Sequence, residues 1–206
     1  MPHAAQSGFS MTESVSAMDR LLTSLRDGKG RGLPPVERWN PPFCGDIDMR
    51  IAADGTWFYL GTPIGRPALV KLFSSVLRRD DGDYVLVTPV EKVGITVEDA
   101  PFQAVEMAVA GEGEGRSLAF RTQVDDVVSA GPGHAIRFER AAKGGLKPYI
   151  HVRRDLWARV TRAVTYDLLA LGEVREVDGM PMFGVAAGGA FYPAVPASEI
   201  EDGEAE

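Results

Sequence analysis

The chain has 206 residues, a formal net charge of −7, 45% hydrophobic residues and a single cysteine. That length holds one domain or two small ones around a proper core, no apolar run approaches the ~20 residues of a membrane-spanning helix, and one cysteine excludes an internal disulfide, as fits a reducing cytoplasm. The acidic balance sits in SEIEDGEAE, residues 198–206, which holds five acids; the remainder carries only −2, which argues against a general coat for DNA or RNA.

The opening segment, MPHAAQSGFSMTES, has neither the basic start nor the apolar core of a secretory signal, and residues 1–12 read as a loose leader. Ser14 or Ser16 caps an expected helix to about Arg26, with Val15, Met18, Leu21, Leu22 and Leu25 on one face. RDGKGRGLPPVERWNPP follows as an extended arm, because its prolines and glycines break regular structure. Residues 1–43 therefore form an N-terminal leader, helix and arm.

From Asp46 the pattern becomes strand-like. Ile47, Met49 and Ile51 alternate with Asp46, Asp48 and Arg50, as a half-buried strand requires. Two carboxylates close behind Cys44 invite a metal reading, but a metal needs more ligands than that, and a solvent-facing strand is expected. Asp54-Gly55 turns the chain into the strand Trp57–Leu60. Pro67 suits the first turn of a helix whose buried face is Leu69, Val70, Leu72, Phe73, Val76 and Leu77, ended by Asp80-Asp81-Gly82-Asp83. YVLVTP and EKVGITVE are two more strands. Val105, Met107 and Val109 alternate, GEGEG turns, and Leu118, Phe120 and Thr122 alternate again. GEGEG lacks the lysine and following helix of a phosphate loop, so it is read as a hairpin turn.

The strand beginning at Asp48 has a partner in the one beginning at Ala135. Each is followed by an Ala-Ala-x-Gly turn, an apolar strand, an amphipathic helix and two further strands. The expected fold class is α+β, a duplicated hairpin–helix–strand–strand unit giving two similar, mostly antiparallel halves. The expected boundaries are 44–98 for the first repeat, 99–133 for a linking hairpin, 134–195 for the second repeat and 196–206 for a disordered acidic tail.

No HExxH, CxxC or GxSxG occurs, and the three histidines, His3, His134 and His151, are scattered. No metal ligand, cofactor or catalytic residue is assigned. The polar candidates lie on and before an expected second helix, in YIHVRRDLWARVTRAVTYDLL, with Leu156, Trp157, Val160, Ala163, Val164 and Leu168 as its buried stripe. There Arg159, Arg162 and Tyr166 are spaced by three and four and share a face, with Arg153 and Arg154 just ahead. Such a face suits a phosphate or carboxylate, although surface pairing, Asp155 with Arg159, is the commoner fate of helix arginines. TPVEKVGITVEDAPF offers Glu91, Lys92, Asp99 and Phe102, or simply a strand and a bend.

CGDIDMRI, DGTWFYLGTPI, RPALVKLFSSVLR, LVTPVEKVGITVEDAPF, PYIHVRRDLWARVTRAVTYDL and GGAFYP together resemble a bacterial family, domain-of-unknown-function family 1285, from about Cys44 to Pro193. The resemblance implies a duplicated core with a C-terminal half loosely pleckstrin-homology-like. It also implies a site for an anionic or nucleotide-like ligand at the interface of the halves, in a signalling role. On the family's motifs the site residues are Glu91, Lys92, Asp99, Phe102, Tyr149, Arg153, Arg159 and Arg162, with Tyr166 added from helix spacing. The first expectation is a cytoplasmic, non-enzymatic binder of a small anionic ligand, held by the arginines, with Tyr149, Tyr166 or Phe102 stacking on a ring. The alternatives are a hydrolase of a small phosphorylated or acylated compound using Glu91 or Asp99 as general base, and a protein-interaction module without a small ligand.

Overall fold

A computed structural model describes residues 32–142 and 144–201. The expected leader and the helix to Arg26 lie outside the described residues, as does the tail beyond Glu201. The described chain divides into two compact units: the first runs to Glu98, and the second from Asp99 onward together with Ala53–Gly55.

The first unit opens on a short 3-10 turn, Val36–Arg38. Its strands are β1 (Phe43–Ile51), β2 (Trp57–Tyr59), β3 (Thr62–Pro63), β4 (Leu77–Asp80), β5 (Asp83–Val87) and β6 (Lys92–Val97), with helix α1 (Pro67–Ser75) between β3 and β4. They make one sheet in the order β3-β2-β1-β6-β5-β4, in which β1 and β6 are parallel and every other pair is antiparallel. In β1 the expected alternation holds: Ile47, Met49 and Ile51 are buried while Asp46 and Asp48 face solvent. Arg50, beside them, ion-pairs with Glu98 and lies 4.3 Å over the Phe58 ring.

Helix α1 starts on Pro67, whose missing N–H costs nothing at a first helical position. It stops two residues short of the expected Leu77. The Ser74 and Ser75 hydroxyls donate back to the Lys71 and Leu72 carbonyls at 2.9 and 2.6 Å, and such back-bonding competes with the helix ladder. Leu77 instead begins β4, and Asp81-Gly82 is the β4–β5 hairpin turn, with φ of 51° and 102° at its two residues. Positive φ at both central positions is the requirement of a tight hairpin, which Asp-Gly meets.

Arg78 on β4 ties the arm to this sheet. It donates to the Val36 and Trp39 carbonyls at 2.6 and 2.9 Å and forks onto Asp80 at 2.5 and 2.6 Å. Lys92 adds a third contact to Asp80 at 2.9 Å. The Arg78 hydrogen bond, ahead of Lys92, holds the Asp80 carboxyl below its ordinary value. Its folded pKa is thus below its unfolded one, so its stabilisation is present above the unfolded value, about pH 4, and is lost as pH falls through the folded value. Urea midpoints of wild type and Asp80→Asn should therefore differ near neutrality and converge in acid; a constant gap at every pH would contradict this linkage.

The second unit contains β7 (Phe102–Ala110), β8 (Ser117–Thr122), β9 (Val127–Ser129), β10 (Ile136–Arg140), β11 (Leu146–Arg153) and β12 (Leu156–Val160). Helix α2 (Arg162–Leu169) follows, then β13 (Glu173–Val177), β14 (Met180–Ala187), β15 (Ala190–Pro196) and the short helix α3 (Ser198–Glu201). GEGEG joins β7 to β8, as a hairpin turn should. Two sheets form, ordered β10-β11-β12-β7-β8-β9 and β13-β14-β15. The larger has one parallel pair, β12 with β7, and is otherwise antiparallel. The molecule is thus two similar, mostly antiparallel β halves with few helices.

Three expectations change here. Residues 99–133 do not merely link repeats: they supply β7, β8 and β9 to the larger sheet. The local order of three strands, a helix and three strands after Ala135 matches the first unit, yet the pairing differs. In the first unit the two triplets join through parallel β1 and β6, whereas β13–β15 form their own sheet and β10–β12 join β7–β9. Counted within its own sheet, each six-stranded sheet reads 3-2-1-6-5-4, so by strand order β1–β6 correspond to β7–β12. Finally, residues 198–201 of the expected tail are ordered: Ser198–Glu201 is helical and Glu199 pairs with Arg140 at the end of β10.

Candidate anion site in the second unit

The stretch around the expected second helix is the end of β11, a turn, strand β12 and a shorter helix. LWARV fits a period of two as well as a helical one, and Leu156, Ala158 and Val160 are its buried set. Pairing with β11 on one side and β7 on the other makes it a central strand, which overrides helix propensity. Arg154, at φ 54°, turns β11 into β12. Thr161 then stands in extended conformation and the helix begins at Arg162.

This geometry decides which side chains meet. Tyr149 on β11 and Arg159 on β12 are register partners, and Lys147 shares a strand face with Tyr149 because it is two residues away. All three reach Asp99, in the bend before β7. Tyr149 Oη donates to Asp99 Oδ1 at 2.6 Å, Arg159 Nη1 to Oδ2 at 3.1 Å and Lys147 Nζ to Oδ2 at 3.4 Å. Burial, then the hydrogen bond to Asp99, raises the Tyr149 phenol; the hydrogen bond with Tyr149 does most to raise the Lys147 ammonium, with Asp99 adding to it.

Lys147 and Arg159 open on their other side to a groove of about 350 Å³, which Arg162, Thr165 and Tyr166 of α2 also line. The β10–β11 turn also lines it with Gly144 and Gly145, which take φ of 84° and 82°, a conformation glycine adopts without strain. Arg162 Nη2 donates to the Tyr166 phenol at 3.1 Å. That neutral partner leaves its charge uncancelled. Among the described residues the groove's lining carries three cations and no carboxylate; Asp99 contacts two of them, and Glu139, the register partner of Lys147, is paired with Arg137 at 3.3 Å. The first turn of a helix lies beside it, and its amide end also favours anions.

Of the nine expected site residues, Arg159, Arg162 and Tyr166 line this groove, and Asp99 and Tyr149 stand directly behind it. Arg153 is elsewhere in the second unit: it ion-pairs with Asp126 and lies 4.7 Å over the Phe102 ring. Phe102 and Tyr149 are 0% and 1% exposed, so neither has an open face for stacking, whereas Tyr166 is 60% exposed. Glu91 and Lys92 belong to the first unit, where Glu91 is buried in the β5–β6 turn and Lys92 holds Asp80. Asp155 does not pair with Arg159, since no helix carries the two four apart; Asp99 takes that role. Asp99 thus accepts three donors on its two oxygens, the arrangement of a counter-ion.

Lys147 is the residue the sequence reading lacked. Its signal was present in Lys147-Pro148-Tyr149, where a two-residue spacing on a strand puts the ammonium beside the phenol. His134 and His151 take structural roles. His134 Nδ1 meets the His151 carbonyl at 3.0 Å, and the His151 ring lies between the Gly133 and Arg154 carbonyls, edge-on to Trp157. Among the described residues no three His, Cys, Asp or Glu side chains are placed to hold a metal ion, and no helix is long and apolar enough to cross a membrane.

Comparison with known proteins adds the following. Residues 34–100 match "Domain of unknown function (DUF1285), N-terminal domain", and residues 101–194 match "Protein of unknown function (DUF1285), C-terminal domain". A crystal structure of a DUF1285 family protein from Silicibacter pomeroyi is 52% identical, with a TM-score of 0.81, over 88% of this chain and 97% of that one. A second, from Shewanella baltica, is 31% identical over 60% of this chain and 91% of that one, with a TM-score of 0.48. No curated protein matches the chain.

Proposed function

Because the chain belongs to the DUF1285 family, carrying both of its domains in order, we propose that it is a non-enzymatic binding protein for a small anionic ligand, and that the ligand sits in the groove of its C-terminal half. The observation that carries this reading is the convergence of Lys147, Arg159 and Arg162 on one groove, with Asp99 in contact with two of them. Guanidinium groups bind phosphate and carboxylate through charge-assisted, often bidentate hydrogen bonds. Exposed Tyr166 offers a ring for a nucleotide-like ligand to stack on. In a cytoplasmic signalling role, which belongs to the same reading, occupancy of this groove would be the signal.

We infer that the halves descend from a duplication, supported by the shared strand order of their six-stranded sheets. A pleckstrin-homology-like C-terminal half is supported by its make-up, mostly antiparallel sheets with an eight-residue helix.

The test is a thermal-shift screen of the full chain against phosphate, pyrophosphate, nucleotides and simple carboxylates. A ligand at a hundredfold excess over its Kd adds about 2.7 kcal/mol of apparent stability. Arg159→Ala and Arg162→Ala should each weaken the responding ligand by roughly 10- to 100-fold, the worth of a hydrogen bond to a charged group. A shift that survives both substitutions, or none for any anion, rejects the groove.

A further inference from the structure

Asp99 is placed where an anion-binding groove would not ordinarily keep a carboxylate. Its side chain is only 14% exposed and contacts two of the three groove cations. Such a group acts on an incoming anion in two opposed ways. It repels the anion in proportion to the anion's charge, and it orders Arg159 and Lys147 by an amount independent of that charge. The second effect has other support here. Tyr149 sits directly across from Arg159 in the ladder, and the Lys147 ammonium lies 5.7 Å over the Tyr149 ring. Repulsion therefore dominates.

Resting on the anion-binding reading above, we propose that Asp99 is an internal counter-ion that sets the charge of the ligand: among the described residues it leaves the groove's three cations two net positive charges, Glu139 opposite Lys147 being neutralised by Arg137, matched to a dianionic phosphate monoester. The three cations come from β11, β12 and α2. Three separate approaches suit the three outer oxygens of a tetrahedral phosphate, whereas a planar carboxylate offers two. Asp99 is thus a specificity-determining residue that stays off the ligand and acts through Lys147 and Arg159.

The experiment is calorimetric titration of the full chain with phenyl phosphate and with benzoate at pH 8, where the phosphate, with a second pKa of about 6, is a dianion. Wild type should prefer phenyl phosphate by about tenfold or more. Asp99→Asn should tighten phenyl phosphate by about tenfold and benzoate by only about threefold, because the gain doubles on a logarithmic scale with ligand charge. Asp99→Glu, which keeps the charge, should leave the preference as it is. If Asp99→Asn does not fold, Asp99→Ser removes the same charge and gives the same comparison. Equal changes for both ligands, or weaker binding of both, would make Asp99 a structural residue and overturn the inference while leaving the groove intact. No phenyl phosphate binding by wild type would overturn the inference and the anion site together.

Discussion

Gly188→Ala is expected to destabilise the second unit by about 3 kcal/mol or more, among the largest effects of any single methyl group here. Gly188 lies between β14 and β15 at φ 59°, and a Cβ there would stand 2.1 Å from the Ala130 carbonyl oxygen and 2.9 Å from its carbon. Both atoms are backbone, so no side chain can swing aside. The Gly188 amide also donates to the Arg116 carbonyl at 2.9 Å, so displacing the turn breaks a hydrogen bond as well. Gly189→Ala is the control. It too has positive φ, 75°, but nothing within 4 Å of its Cβ position, so it should cost only the backbone strain, about 1 kcal/mol. Denaturant unfolding of the two variants separates clash from strain; equal losses would mean that the close approach to Ala130 is not tight.

Phe73→Ala should cost the first unit about 3–5 kcal/mol, the usual range for a fully enclosed phenylalanine. Phe73 is 0% exposed and stacks on Trp57, itself 1% exposed, at 6.3 Å between ring centroids and 21° between planes. This contact joins α1 to the β1–β2 hairpin, so truncation leaves a cavity against a ring held by its own strand. Leu72→Ala, one residue earlier and only half-buried, should lose much less. A Phe73→Ala loss no greater than that of Leu72→Ala would show that the helix is not anchored through this pair.

Much of the fold was legible in the sequence where local chemistry and tertiary pairing agree. The alternation of β1 and the hairpin turn of GEGEG stand as expected. Where they disagree, two periods competed. LWARV satisfies both a helix and a strand, and only its partners on either side, β11 and β7, decide for the strand. At Asp81-Gly82 the error was different. The same Asp-Gly signal that marks the β1–β2 turn marks a second hairpin, but an apolar face running on into Val76 and Leu77 made it read as a helix stop. Strand order, such as the parallel pairing of β12 with β7, leaves no mark on periodicity at all.

The candidate site was legible as residue types and much less so as a constellation. Arg162 and Tyr166 share a helix face as their spacing requires. Arg159 reaches the same groove from a strand, on a different geometric ground from the one that selected it. Asp99 and Tyr149 meet across 50 residues, which only the fold brings together. Arg153 had the right chemistry and a neighbouring motif, yet Asp126 and Phe102 engage it away from the groove.

The most direct measurement of the anion-binding account is a titration of phenyl phosphate into the full chain labelled with nitrogen-15 at arginine, following the side-chain Nε–Hε resonances. The account predicts that Arg159 and Arg162 shift together and saturably, while Arg153, held by Asp126, stays unmoved. Unchanged Arg159 and Arg162 resonances, or a shift at Arg153 instead, would contradict it.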